Sequence, residues 1–83
     1  MNISEERIML RGRLAEADKK RVDLEIRIRA LKGSMRAGLD PYDPPNEAKA
    51  LEVADGAKLL LEATAQWSQV TALIESLKKD LGE

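Results

Sequence analysis

One cluster of potential metal ligands lies in a proline-rich stretch near the middle of the sequence. Asp40, Asp43, Asn46 and Glu47 supply oxygen atoms, and oxygen ligands are those that calcium prefers. Their spacing does not match the calcium loop D-x-[DN]-x-[DN]-G, and the Pro-Pro pair after Asp43 stiffens the middle of the stretch. Turns and helix caps are the ordinary use of such side chains. The sequence therefore predicts no metal site here.

Catalysis has few residues to draw on in this chain. The sequence contains no His and no Cys, the side chains that most often act as general base or activated nucleophile. It also contains no Gly-rich phosphate loop and no nucleophile elbow. Glycosidase-like carboxylate pairs need a cleft to hold them, which a two-helix chain lacks on its own. We therefore expect no catalytic residues, no cofactor and no enzymatic activity.

The first half of the chain is rich in Arg and Lys, which contact phosphates in nucleic-acid-binding proteins. Acidic residues are interleaved with them, aromatic residues for base stacking are nearly absent, and no helix-turn-helix or zipper basic region is present. The pattern favours a solvated, salt-bridged helix face. The alternative is an accessory nucleic-acid-binding protein that uses this face in a dimer. The residues concerned are Arg7, Arg11, Arg13, Lys19, Lys20, Arg27, Arg29, Lys32 and Arg36.

Apolar residues in both halves of the chain recur at a 4,3 spacing that is typical of packed helices. The spacing predicts helices over about residues 4–37 and about residues 46–81. We call each of these two rows a seam. The first seam comprises Ile3, Arg7, Leu10, Leu14, Ala17, Arg21, Leu24, Ile28, Leu31 and Met35. The second comprises Lys49, Val53, Gly56, Leu60, Ala63, Trp67, Val70, Ile74, Leu77 and Leu81.

A connector over about residues 38–45 separates the predicted helices and contains all the prolines of the chain. Proline lacks an N–H group and restricts the residue before it, so no helix continues through this segment. Gly38 is predicted to follow the first helix as its C′ residue, and either Asp43 or Asn46 caps the second. A short connection makes the two helices antiparallel. The expected fold is all-α, one coiled-coil-like two-helix hairpin domain over residues 1–83.

The two halves of the chain carry opposite charge. Residues 1–37 contain ten Lys or Arg and six Asp or Glu, a net charge of +4. Residues 38–83 contain four Lys and nine Asp or Glu, a net charge of −5. The halves therefore attract each other when the chain folds back on itself, which favours antiparallel pairing.

Two seam residues differ from the rest. Arg21 interrupts the first seam, and two interpretations are open. It forms an ion pair with Glu62, which a chain folded about its connector places roughly opposite, or its stem packs while its head stays in water. Trp67 supplies the largest apolar surface of the chain and needs a partner for its indole N–H. It is predicted to anchor the core, an interface, or both.

Both predicted helices carry more apolar surface than one contact stripe can bury. A chain of 83 residues is marginally stable alone, and without Cys it has no disulfide to stabilise it. We therefore expect a homodimer of hairpins that forms a four-helix bundle with twofold symmetry. A different helical protein would use the same surface, and Ile26 alone also fits an ordinary exposed residue. The predicted interface comprises Ile8, Ala15, Val22, Ile26, Ala54, Leu61, Ala65, Trp67 and Ala72.

The remaining features concern the compartment. No apolar run approaches the roughly 18 to 20 residues of a membrane span, and charges interrupt the segment where a signal peptide would need its apolar core. The absence of Cys suits a reducing cytosol. We expect a soluble cytoplasmic protein without membrane contact that acts as a non-enzymatic protein-binding scaffold or regulatory module.

Overall fold

The computed structural model of the chain describes residues 3–83, which form two long helices packed side by side. The first, α1, spans Ile3–Gly38, and the second, α2, spans Glu47–Asp80. The Cα atoms fill an elongated volume of 65 × 14 × 14 Å. The predicted all-helical fold is confirmed, and the helix limits differ from the predicted ones by a single residue at each end. Within the described residues, neither helix has a stretch long and apolar enough to cross a membrane.

The start of α2 is fixed by a side-chain cap. Asn46 has an extended backbone (φ −147°, ψ 113°), and its side-chain oxygen accepts a hydrogen bond of 3.2 Å from the backbone N–H of Lys49. This satisfies one of the N–H groups that have no partner inside the first turn of a helix. Of the two predicted caps, the structure uses Asn46.

The end of α2 is fixed by a glycine in the left-handed region. Gly82 has a φ of +78°, which costs little without a Cβ atom. Its N–H donates to the carbonyl of Lys79 at 3.1 Å, and the N–H of Glu83 donates to the carbonyl of Lys78 at 2.8 Å. This pair of bonds is the Schellman motif, which closes the last turn of a helix.

Gly38 is the last residue of α1 rather than the residue that follows it, and its φ is not positive. Its role is close packing. A Cβ atom at this position would lie 2.7 Å from the Cγ2 atom of Val53 on α2. At Gly56, a Cβ atom would lie 3.0 Å from the Cγ atom of Met35. The two glycines therefore let the helices approach each other at the connector end.

The core lies along the predicted seams, which confirms the 4,3 pattern as the packing interface. Every buried residue of the described chain is an apolar seam member, and Leu10, Leu14 and Trp67 pack against the largest buried cluster. Of the seam residues nearest the connector, Met35 and Val53 are half-buried and Lys49 is exposed. The tightest packing is therefore at the end of the hairpin that holds the chain termini. The buried residues are Ala17, Leu24, Ala63, Val70, Ile74, Leu77 and Leu81.

The register of the hairpin differs from a symmetric fold about the connector. Because Gly38 lies against Val53, the first turns of α2 extend beyond the end of α1, and the connector runs back beside them. Arg21 is thereby shifted to the level of Val70, about 12 Å along the hairpin from Glu62. Arg21 pairs within its own helix instead, as described below.

Candidate interaction surface

A polar cluster covers the middle of the seam on one side of the hairpin. The indole Nε1 of Trp67 donates a hydrogen bond of 3.2 Å to Oε1 of Glu25. The same oxygen accepts from Arg21 Nη1 at 2.7 Å, and Arg21 Nη2 also contacts Asp18 Oδ1 at 3.2 Å. Trp67 therefore anchors the core with its ring and is held by Glu25 across the helix interface. The cluster replaces the predicted ion pair of Arg21 with Glu62.

The Trp67 hydrogen bond has a consequence for pH. It is the largest cause that lowers the pKa of Glu25 below its ordinary value; desolvation opposes the shift, and Arg21 and Arg29 add to it. A carboxylate with a lowered folded-state pKa stabilises the fold at neutral pH, and the stabilisation is lost as the pH falls through that pKa.

We therefore expect the fluorescence of Trp67, the only Trp of the chain, to change in the acid range below pH 4.5, the usual pKa of Glu. Glu25→Gln should remove this transition while the neutral-pH spectrum stays close to that of the parent, because the amide oxygen still accepts from the indole. Glu16→Gln, on the exposed side of the same helix, is the control. A transition that persists in Glu25→Gln would assign it to another carboxylate.

Three of the four oxygen-bearing residues at the connector have a structural role. Asp40 Oδ1 accepts from the backbone N–H of Tyr42 at 2.9 Å, and Asp43 Oδ2 pairs with Lys49 Nζ at 2.7 Å. Asn46 caps α2. Within residues 3–83, His, Cys, Asp and Glu side chains form no group of three or more that could hold a metal ion.

One side of α2 carries a long surface free of charge. We call it the alanine face: Ala50, Ala54, Ala57, Leu61, Thr64 and Ser68, all exposed. These residues lie on one side of α2 because steps of three and four residues return to the same side of a helix. Leu61 at the centre is 72 % exposed. A face of small uncharged residues lets another helix approach closely.

A second apolar row lies on α1. Ile8, Ala15 and Val22 are separated by seven residues, which is close to two helical turns. Continuing the row by seven residues gives Arg29, which lines one groove together with Thr64 of the alanine face. This row, which we call the α1 row, therefore faces the same side of the hairpin as the alanine face. Its two large members are strongly exposed, with Ile8 at 69 % and Val22 at 44 %.

The opposite side of the hairpin is charged. Its α1 part follows a row of Glu6, Arg13, Lys20 and Arg27, and the next member, Ser34, lines a groove with Glu52 of α2. We call this side the charged edge. Met9 is 55 % exposed there, beside Glu6 and Arg13. We call the side that carries the alanine face and the α1 row the apolar side; the charged α1 residues Glu25, Arg29 and Lys32 also line a groove there, together with Thr64.

The structure brings most of the predicted interface onto one side and leaves three residues elsewhere. The α1 row, Ala54 and Leu61 lie on the apolar side. Trp67 lies between this side and the core. Ile26, Ala65 and Ala72 point away from the partner helix, by their place in the helical repeat. All three are exposed.

Thr71 carries a hydroxyl without a partner on the apolar side. Its Oγ1 atom is buried and forms no hydrogen bond to any described residue. Such a group costs about 1–3 kcal/mol. We expect Thr71→Val, which keeps the shape, to raise the free energy of unfolding by about 1 kcal/mol in urea titrations. Thr64→Val, on the exposed alanine face, should change it little, and destabilisation by Thr71→Val would mean that the hydroxyl is bound.

A concavity lies at the connector end of the same side. It has a volume of about 830 Å³ and is open to solvent. Met35, Leu39, Pro41 and Leu60 form its apolar wall, and Lys32 and Arg36 stand at its rim. It extends the apolar side of the hairpin toward the connector and contains no convergent set of acid, base and nucleophile.

The described residues thus form an all-helical hairpin in which one side combines an uncharged, exposed face of α2 with the polar cluster of α1. Comparison of the chain with protein-family models, with curated protein sequences and with solved structures finds no match.

Proposed function

We propose that the protein is a non-enzymatic helical interaction module that associates with a second copy through the apolar side of the hairpin, forming a four-helix bundle. In this form it acts as a scaffold or regulator that presents a bundle surface to other proteins. The observation that carries the proposal is the exposure of Ile8, Val22 and Leu61 on the side where α2 has no charge from Ala50 to Ser68.

The total surface supports self-association. The chain exposes 6609 Å², whereas compact monomers of its 9.2 kDa mass expose about 4,900 Å². The excess, roughly 1,700 Å², is larger than the approximately 800 Å² that each partner buries in a standard protein–protein interface. A second copy that packs on one side of the hairpin would bury an area of this size, and no additional chain segment is needed to cover it.

The thin core also supports self-association. Among the described residues no side chain is less than 2 % exposed, and the buried set consists of one residue layer between two helices. Full burial of a Leu or Ile is worth about 1.5–3 kcal/mol relative to exposure. Covering the apolar side therefore adds a second layer to a core that one hairpin leaves thin.

The test is the mass in solution over a dilution series, by light scattering, with helicity measured by circular dichroism at each concentration. We expect a dimer at high concentration and a parallel loss of mass and helicity on dilution, because association and folding are then linked. A fully helical monomer at every concentration would overturn the self-association proposal.

A second candidate function is accessory nucleic-acid binding. Arg13, Lys20 and Arg27 on the charged edge are exposed and form no ion pair with any residue from 3 to 83, so they are free to contact phosphates. Binding of this kind weakens steeply with salt. A DNA or RNA mobility shift that disappears between 50 and 200 mM salt, roughly the range in which phosphate contacts lose most of their affinity, would support it. No shift at low salt would exclude it.

A further inference from the structure

We infer that the second copy docks with its twofold axis parallel to the helices, so that α1 of each copy packs antiparallel against α2 of the other. This inference rests on the proposed self-association and names the arrangement within it. In the other closed arrangement, with the axis perpendicular to the helices, α1 would lie against α1 and α2 against α2.

Charge decides between the two arrangements. α1 carries ten basic and six acidic side chains, whereas α2 carries four basic and six acidic. Packing α1 against α1 sets two basic helices side by side, and like charges in proximity are unfavourable. Packing α1 against α2 of the other copy places opposite net charges next to each other at both new interfaces.

Shape agrees with charge. Against α2 of the other copy, Val22 meets Ser68 at the end of the alanine face, so that a large side chain faces a small one. Large against small is the combination that lets two helices interdigitate without voids or clashes.

The arrangement fixes which residues meet. A twofold rotation about an axis parallel to the helices leaves every residue at its own height. A residue of α1 therefore faces, in the other copy, the same level of α2 that it faces in its own hairpin. Counting back from the contact between Glu25 and Trp67, Val22 is level with residues 69–70, and Ser68 is the nearest member of the alanine face.

Because the chain contains no Cys, introduced pairs report these contacts directly. We expect Val22→Cys combined with Ser68→Cys to form disulfide-linked dimers under mild oxidation. It should react at least about tenfold faster than Val22→Cys combined with Ala57→Cys, because a disulfide needs Cβ atoms about 3.5–4.5 Å apart. The second pair uses the same two faces, but Ala57 lies about 16 Å along α2 from Ser68.

The single variant Val22→Cys is the decisive control. In the parallel arrangement Val22 faces α2 of the other copy and not the second Val22, so the single variant should not crosslink. Rapid crosslinking of the single variant, or equal rates for the two pairs, would overturn the arrangement while leaving the dimer itself established by its mass. A monomer in light scattering would overturn self-association instead, so the two failures are distinguishable.

Discussion

Leu61→Glu should turn the dimer into a monomer. Leu61 is 72 % exposed in the hairpin, so in an isolated chain a polar residue there is harmless or favourable. In the proposed bundle the side chain is buried, and its loss from two copies weakens association by at least about 100-fold, since each buried Leu contributes about 1.5–3 kcal/mol. Light scattering and sedimentation over a dilution series measure the shift.

Met9→Glu is the matched control for this substitution. Met9 is also an exposed apolar residue, at 55 %, but it lies on the charged edge beside Glu6 and Arg13. Its replacement should leave the mass and the helicity of the parent unchanged. Equal effects of the two variants, or an unchanged dimer in Leu61→Glu, would show that the apolar side is not the interface.

Leu77→Ala should cost the largest share of stability of any single truncation in α2. Leu77 is 2 % exposed, and removing a buried Leu side chain costs about 2–5 kcal/mol, because the lost transfer energy and the cavity add. A domain of this size has little more than that in total. Urea unfolding at one fixed protein concentration is the measurement, since the midpoint of an associating protein depends on concentration.

Leu73→Ala provides the comparison for Leu77. It removes the same atoms one turn earlier in the same helix, from a side chain that is 41 % exposed. Its cost should be less than half that of Leu77→Ala. Equal losses would mean that Leu73 is covered in solution and that the interface extends to the charged edge.

The sequence predicted the fold well because helix formation and helix packing depend on local residue patterns. The 4,3 spacing predicted the seams, and every buried residue of the described chain falls on them. The prolines predicted the connector, and one of the two candidate caps, Asn46, closes the first turn of α2.

The pairing of residues across the hairpin was harder to predict. The path of the connector sets the register between the two helices, and the seam pattern does not depend on that path. The predicted position of Arg21 opposite Glu62 assumed a symmetric fold, whereas the contact of Gly38 with Val53 shifts α2. Glu25 as the acceptor for Trp67 follows from the same shift. The sequence signal for this contact was not unique. Glu25 directly follows the seam residue Leu24, but it is one of several acidic residues that directly follow a seam residue.

The position of the tight core, at the end of the hairpin remote from the connector, bears on how the chain folds. Contacts such as those joining Ala17 and Leu24 to Val70 and Ile74 connect residues far apart in sequence, whereas the turn end is closed by glycines and half-buried side chains. We expect folding to nucleate at this core, which requires closing a long loop at about 1 kcal/mol more chain entropy than zipping from a short turn. We expect folding slower than that of hairpins that nucleate beside their turns.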